Sequence, residues 1–340
     1  MNLKQLSAAM AVATLSLGSC VQSETTPIAE VIFANESFIP GNIAIADNGD
    51  MFFSVNPLLN PDIKLYRVSK GGTQVTPYPT AEYVVGDDSI IEGVLGIKIE
   101  DDELWMLDML SPKFVVWDIK SDILADTISI PNEVLRPNSF LQDFVIDDEN
   151  DRVIIADMTL ASDDMPSYPA FIVYDMKSRT FRRMAERHPS MLAEVAGGYD
   201  LNPIAIGPDD KWIYFGAMNG RKIYRVPADA FSSERRVISG IEYFSDKPFS
   251  DGIAVDDDGN VYIANIEDNT IAVSNKSKGF TNIATLPEGQ SYPDGLVIED
   301  DFVYATVSQH DKSAAMNQGK STTQKPYVVV RTEVMEEMEN

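Results

Sequence analysis

The stretch SDGIAVDDDGNVYIANIEDNTIAVSNKSKGFTNIATL, residues 250–286, contains four short apolar runs at 252–255, 261–265, 270–274 and 281–286. Each run alternates apolar and polar side chains, and Asp/Gly or Lys/Gly clusters separate them, which is the pattern of β-hairpins. The segment therefore predicts a four-stranded antiparallel unit. Such a unit, alone in water, leaves both edges and one apolar face uncovered, so it needs copies of itself to pack against.

The copies are present. GNIAIADNGDMFFS (41–54), VLGIKIEDDELWMLD (94–108), LQDFVIDDENDRVIIAD (141–157), LNPIAIGPDDKWIYFG (201–216), SDGIAVDDDGNVYIAN (250–265) and PDGLVIEDDFVYATV (293–307) share one plan: an apolar run, an acidic or Gly turn, a second apolar run. The last apolar residues before the turns, Ile45, Ile99, Ile146, Ile206, Val255 and Ile298, are spaced by 54, 47, 60, 49 and 43 residues. Helical periodicity is nearly absent, residues 227–231 being the best short candidate. Units of four strands repeating near every 50 residues predict an all-β, six-bladed β-propeller over residues 29–340.

The ends of the chain predict how the ring closes. The sixth unit supplies strands at 293–299, 302–307 and 327–332 and is one strand short, while Glu30-Val31-Ile32-Phe33 has no partner of its own. The N-terminal strand thus completes the last blade, removing two open sheet edges. Trp105, Trp117 and Trp212 read as packing residues between blades.

Composition narrows the function classes. The 340 residues carry 27 Lys+Arg against 53 Asp+Glu, a net charge of −26, which repels nucleic acid and anionic lipid. One Cys and two His exclude an internal disulfide and a His-rich metal cluster, so any metal would be a hard, oxygen-ligated ion such as Ca²⁺ or another divalent cation. Residues 1–19 read as a signal peptide whose apolar stretch, 6–17, is too short to span a bilayer. Its end, Leu17-Gly18-Ser19-Cys20, resembles the bacterial lipobox, which implies lipidation of Cys20 and a tether over 20–28. The expectation is a monomeric extracytoplasmic protein, held to the bacterial cell envelope only through its lipid. Val21 after the Cys points to the outer membrane.

Loop lengths predict the working face. The turns at 47–49, 69–72, 256–259 and 275–279 are tight, whereas 56–62, 79–93, 131–142, 158–170, 186–200 and 309–325 are long and share the opposite face. Long loops on a rigid scaffold carry binding residues. Segment 309–325 is polar and reads as mobile or disordered. His188 and His310 read as surface residues.

The residue opening each inner strand should face the central channel there: Asn42, Glu92 or a neighbour, Asp143, Asn202, Asp251 and Asp294. Like charges converging on a channel call for a cation or a proton. Mixed Asn and Asp oxygens suit Ca²⁺ or an organic ammonium, and a small-molecule ligand is the expected partner.

IPNEVLRPNSFLQDFVID, VIIADM, FIVYDMKSRTFRRM, the HPS at 188–190 and IAIGPDDKWIYFGAMNGRKIYRVPADAF resemble, in order and spacing, the major royal jelly/Yellow protein family across nearly the whole mature chain. That resemblance implies a secreted six-bladed propeller; some members bind small amines at the channel mouth and others are linked to dopachrome conversion. The missing insect-type cysteines and the lipobox mark a bacterial relative. Locally, SDGIAVDDDGNVYIA and LNPIAIGPDDKWIYF also resemble blades of the gluconolactonase/senescence-marker family. This second likeness implies Asn202 and Asp251 as metal ligands and Asp251 as catalytic base of a lactone hydrolase. Asn42 stands where that family has a Glu ligand, and Pro203 where Gly is usual. A protein-interaction scaffold using the rim is the third reading.

Overall fold

A computed structural model describes residues 26–162, 164–276 and 279–335. The leader and Cys20 lie outside the described residues. The described chain forms six antiparallel four-stranded sheets. Blade 1 comprises Ile43–Ile45, Met51–Ser54, Leu65–Val68 and Val75–Pro77. Blade 2 comprises Val94–Glu100, Glu103–Asp108, Lys113–Asp118 and Ile123–Ser129. Blade 3 comprises Leu141–Asp147, Arg152–Asp157, Ala170–Asp175 and Thr180–Met184. Leu201–Ile206, Trp212–Ala217, Lys222–Pro227 and Glu242–Asp246 make blade 4. Ser250–Val255, Val261–Asn265, Thr270–Asn275 and Gly279–Thr285 make blade 5.

Blade 6 joins the two ends of the chain. Pro293–Glu299, Phe302–Val307 and Tyr327–Glu333 take Glu30–Asn35 as their outermost strand. The pairing runs from Glu30 opposite Arg331 to Asn35 opposite Tyr327, and Arg331 Nε donates to Glu30 Oε2 at 2.7 Å. The expected closure is therefore present.

The apolar alternation becomes core between blades. Phe114 of blade 2 meets Phe144 of blade 3 edge to face at 5.0 Å, and Phe171 of blade 3 meets Phe215 of blade 4 in the same way at 5.0 Å. Each such fully buried ring contributes roughly 1.5–3 kcal/mol. Trp105 and Trp117 are buried in these layers, while Trp212 packs half-buried under the Arg225 guanidinium at 3.8 Å. The acidic turns have a backbone reason. Gly259 takes a positive φ of 79°, and Asp102, Asp151, Asp210 and Asp300 take 64°, 52°, 50° and 50° at the other turns. Asp tolerates that left-handed region because its short side chain bonds the local backbone.

Two segments differ from expectation. The connection after Lys222–Pro227 is long, a 3₁₀ turn over Ala228–Ser232 followed by an α-helix over Glu234–Gly240, and it buries Phe231 and Val237 under blades 3 and 4. Segment 309–325 is ordered. Gln309 is fully buried, its amide donating to Gln324 O at 2.8 Å and Gln290 Oε1 at 3.0 Å while Gln324 N donates back at 2.7 Å. Side-chain to backbone bonds hold it in place of apolar burial, so its polar composition misled the reading.

Candidate functional site

Five of the six inner strands open with a β-bulge at the long-loop face. Register shifts fall between Val94 and Ile97, Leu141 and Asp143, Leu201 and Ile204, Ser250 and Ile253, and Pro293 and Leu296. A bulge re-aims side chains locally. The residues in equivalent slots are Leu95, Gln142, Asn202, Asp251 and Asp294, each four residues before the apolar anchor of its repeat. Counting back from those anchors would have found Gln142 and Leu95. Taking the residue that opens each inner strand instead selects Asp143 and Asn42, one place later, and Glu92 or a neighbour.

The equivalent slots converge. Asn202 Nδ2 donates to Asp251 Oδ1 at 2.6 Å, and Gln142 Nε2 reaches the same oxygen at 3.5 Å from blade 3. Asp294 is buried beside Asp251, and its Oδ2 has no hydrogen-bond partner. Burial above all, then the Asp251 charge, pushes its carboxyl well above the usual range, the Ser308 hydroxyl acting the other way. Asn42 and Asp143 behave differently. Each turns its Oδ1 back onto the next amide, Ile43 N at 2.8 Å and Phe144 N at 2.9 Å, against a glycine of the preceding blade. Asp143 also pairs with Lys98 at 3.0 Å. Glu92 is exposed, and its amide serves Asp108.

Sequence reasoning missed His310 and Tyr292. His310 is 3% exposed, a correction to its reading as surface; ordering of 309–325 carries it into the channel mouth. Its Nε2 lies 3.8 Å from Asp294 Oδ2 and 2.7 Å from Asn56 Nδ2, and its Nδ1 has no partner. Tyr292 packs edge-on to the imidazole at 5.5 Å, and burial most of all, then the nearby Asp251 and Asp294 carboxylates, raises its pKa well above the ordinary value. The Tyr292 backbone has a φ of 62°, a strained value for a bulky residue and one that concentrates at functional sites. His188, by contrast, is half-buried and caps the 3₁₀ turn Pro189–Met191.

The residues fit a metal poorly. The Asn42 oxygen is committed to its own strand, the Asn202 amide presents N–H to Asp251, and among the described residues no group of three His, Cys, Asp or Glu could hold an ion. What the mouth offers is a pair of adjacent carboxylates, one with an unpartnered oxygen, beside two aromatic rings. A cavity of about 480 Å³ lined by Phe38, Leu58, Tyr66, Ser313 and Thr323 includes none of these groups, so chemistry and not volume marks the site.

Comparison with known proteins agrees with this architecture. The major royal jelly protein family profile matches residues 102–338, well over half of the chain. No curated protein sequence matches. The regucalcin of Agrobacterium tumefaciens, a calcium-binding protein, superposes with a TM-score of 0.60 at 14% identity, covering 91% of this chain and 95% of its own. A luciferin-regenerating enzyme gives a TM-score of 0.60 at 13% identity, with coverage of 90% and 94%. A gluconolactonase from Xanthomonas campestris gives 0.57 at 10% identity, with coverage of 81% and 85%. At these identities the structural likeness is one of fold alone.

Proposed function

We propose, from the premise that this chain belongs to the major royal jelly protein family, that it binds a small organic cation, an amine, at the long-loop mouth of its channel. The observation that carries this reading is the buried Asp294 oxygen with no partner, next to Asp251. Of the three channel aspartates, Asp143 has Lys98 and Asp251 has two amides, while Asp294 has no cation at hydrogen-bond distance. An ammonium group brings positive charge and N–H donors together, and the Tyr292 ring gives an aromatic amine an apolar wall.

Ca²⁺ is the competing occupant, and a lactone hydrolase using Asp251 as base would depend on such an ion. The engaged Asn42 oxygen favours the amine. Calorimetry with tyramine and with CaCl₂ tests this. Asp251→Asn and Asp294→Asn should each weaken tyramine about 10–150-fold, the worth of a charge-assisted contact. Asp257→Asn, on the opposite face, should leave it unchanged. Tighter Ca²⁺ than tyramine binding, with lactone turnover lost in Asp251→Asn, would replace the amine reading with the hydrolase. Absence of both ligands at millimolar concentration would leave the rim scaffold.

The cellular address belongs to the same proposal: a lipid on Cys20 holds a monomeric propeller to the bacterial outer membrane by its tether, facing extracytoplasmic solutes. Cys20→Ser should move the protein into the soluble fraction, and unchanged membrane association would refute the anchor.

A further inference from the structure

Asn56 begins the 3₁₀ turn Pro57–Leu59, and its Oδ1 accepts the Leu58 amide at 2.9 Å. That bond fixes which end of the carboxamide faces His310. The end facing it is Nδ2, a donor with no lone pair to offer, so the imidazole Nε2 at 2.7 Å is the acceptor. The ring proton therefore sits on Nδ1, where no partner meets it.

We propose that Asn56 and His310 are a positioning pair for the cation site: Asn56 holds the imidazole neutral, which denies Asp294 an internal counter-ion and reserves its free oxygen for a cation from solution. This rests on the amine reading above. The groups around the ring fit it. Asp294 Oδ2 lies 3.8 Å from Nε2, close enough for an ion pair were the ring charged. Tyr292 contributes a ring edge, and Asp311, the next residue, has its carboxylate taken by the Ser291 hydroxyl at 2.8 Å. Burial lowers the His310 pKa, with Asp251 and Asp311 acting against it. Protonating Nε2 would turn the Asn56 contact into donor against donor, and relieving it would break the Leu58 cap. A neutral buried imidazole beside two carboxylates is otherwise unexpected, since carboxylates ordinarily raise a histidine's affinity for a proton.

The test is ¹⁵N–¹H correlation of the imidazole rings, with His188→Gln assigning the His310 signals. At pH 7 His310 should show the neutral Nδ1–H pattern, and an imidazolium or Nε2–H pattern overturns the proposal. Asn56→Asp keeps the cap oxygen but replaces the donor with an acceptor, so the ring should take up a second proton. Tyramine affinity in that variant should fall at least tenfold at pH 6.5 and recover by pH 8.5, with the wild type nearly flat across the same range. Equal loss at both pH values would mean a merely structural contact, and wild-type behaviour throughout would also refute the pair. Should the wild type bind no tyramine, the amine reading falls while the ring spectrum still decides the Asn56–His310 arrangement.

Discussion

Blades 2 and 3 and blades 5 and 6 each bury carboxylates at the long-loop face, and the two sectors treat them in opposite ways. Asp108 accepts from the amides of Glu92, Gly93, Leu110 and Ser111 and from Lys113 Nζ at 2.7 Å. Asp157 accepts from Phe140 N at 2.9 Å, Ser139 Oγ at 2.6 Å and Arg183 at 2.6 Å. These saturated carboxylates hold loops to strands. In the other sector Asp294 Oδ2 and His310 Nδ1 are buried without partners. Buried polar groups are ordinarily satisfied, and two open ones on neighbouring side chains in one channel mouth call for an explanation that a ligand can supply. Burial alone therefore does not tell a structural carboxylate from a functional one; the donor count does.

The open sector also contains the seam of the ring, and this gives the largest expected effect. Removing residues 21–35 strips Tyr327–Glu333 of its outer partner and takes Phe33 out of the cluster with Phe38, Phe53 and Val329. Melting followed by circular dichroism should show loss of the cooperative transition, with aggregates on size exclusion. Removing 21–26 should change little, because the first strand and the Pro27 to Thr285 contact survive. Equal melting of the two truncations would contradict the seam.

Next in size is the contrast between the two carboxylates themselves. Asp108→Ala strands five donors, one of them charged, and should cost about 3–5 kcal/mol, lowering Tm by ~10 °C. Asp294→Asn keeps the shape of a carboxyl that burial already drives toward its neutral form and should leave Tm nearly unchanged while weakening amine binding. A large Tm loss in Asp294→Asn would show that its oxygen has a structural partner and would erase the contrast.

What the sequence reveals follows the same division. Strand pattern, turn chemistry and the missing fourth strand of blade 6 are local or arithmetical, and Ile45 through Ile298 locate them. Asn202, Asp251 and Asp294 were legible because the repeats align them. His310 was not, since its position depends on how Gln309 clamps Gln324 and Gln290, bonds no hydrophobic pattern encodes. Lys98 beside Asp143 was equally hidden: it lies on the neighbouring blade, and register alone brings them together.

The cations repeat the contrast, and here the effect is spread over a pH range. Lys113 is paired with Asp108, whereas Lys247, between blades 4 and 5, is 1% exposed and reaches only the carbonyls of Pro248 at 3.1 Å and Met218 at 3.4 Å. Burial, with some help from the Arg221 charge, lowers the Lys247 pKa from 10.5 to about 7. Between those values the unfolded chain holds a proton that the folded chain lacks, so this group makes stability rise with pH, by up to about 1.4 kcal/mol per unit. Below pH 7 the burial penalty is present in full. Lys247→Met keeps the volume and removes the titration, so it should be more stable than wild type at pH 7, the gap narrowing as pH approaches 10. Parallel denaturant midpoints for the two proteins from pH 7 to 10 would mean that Lys247 stays charged in the fold, paired as Lys113 is, and that the open sector differs from the closed one in its carboxylates alone.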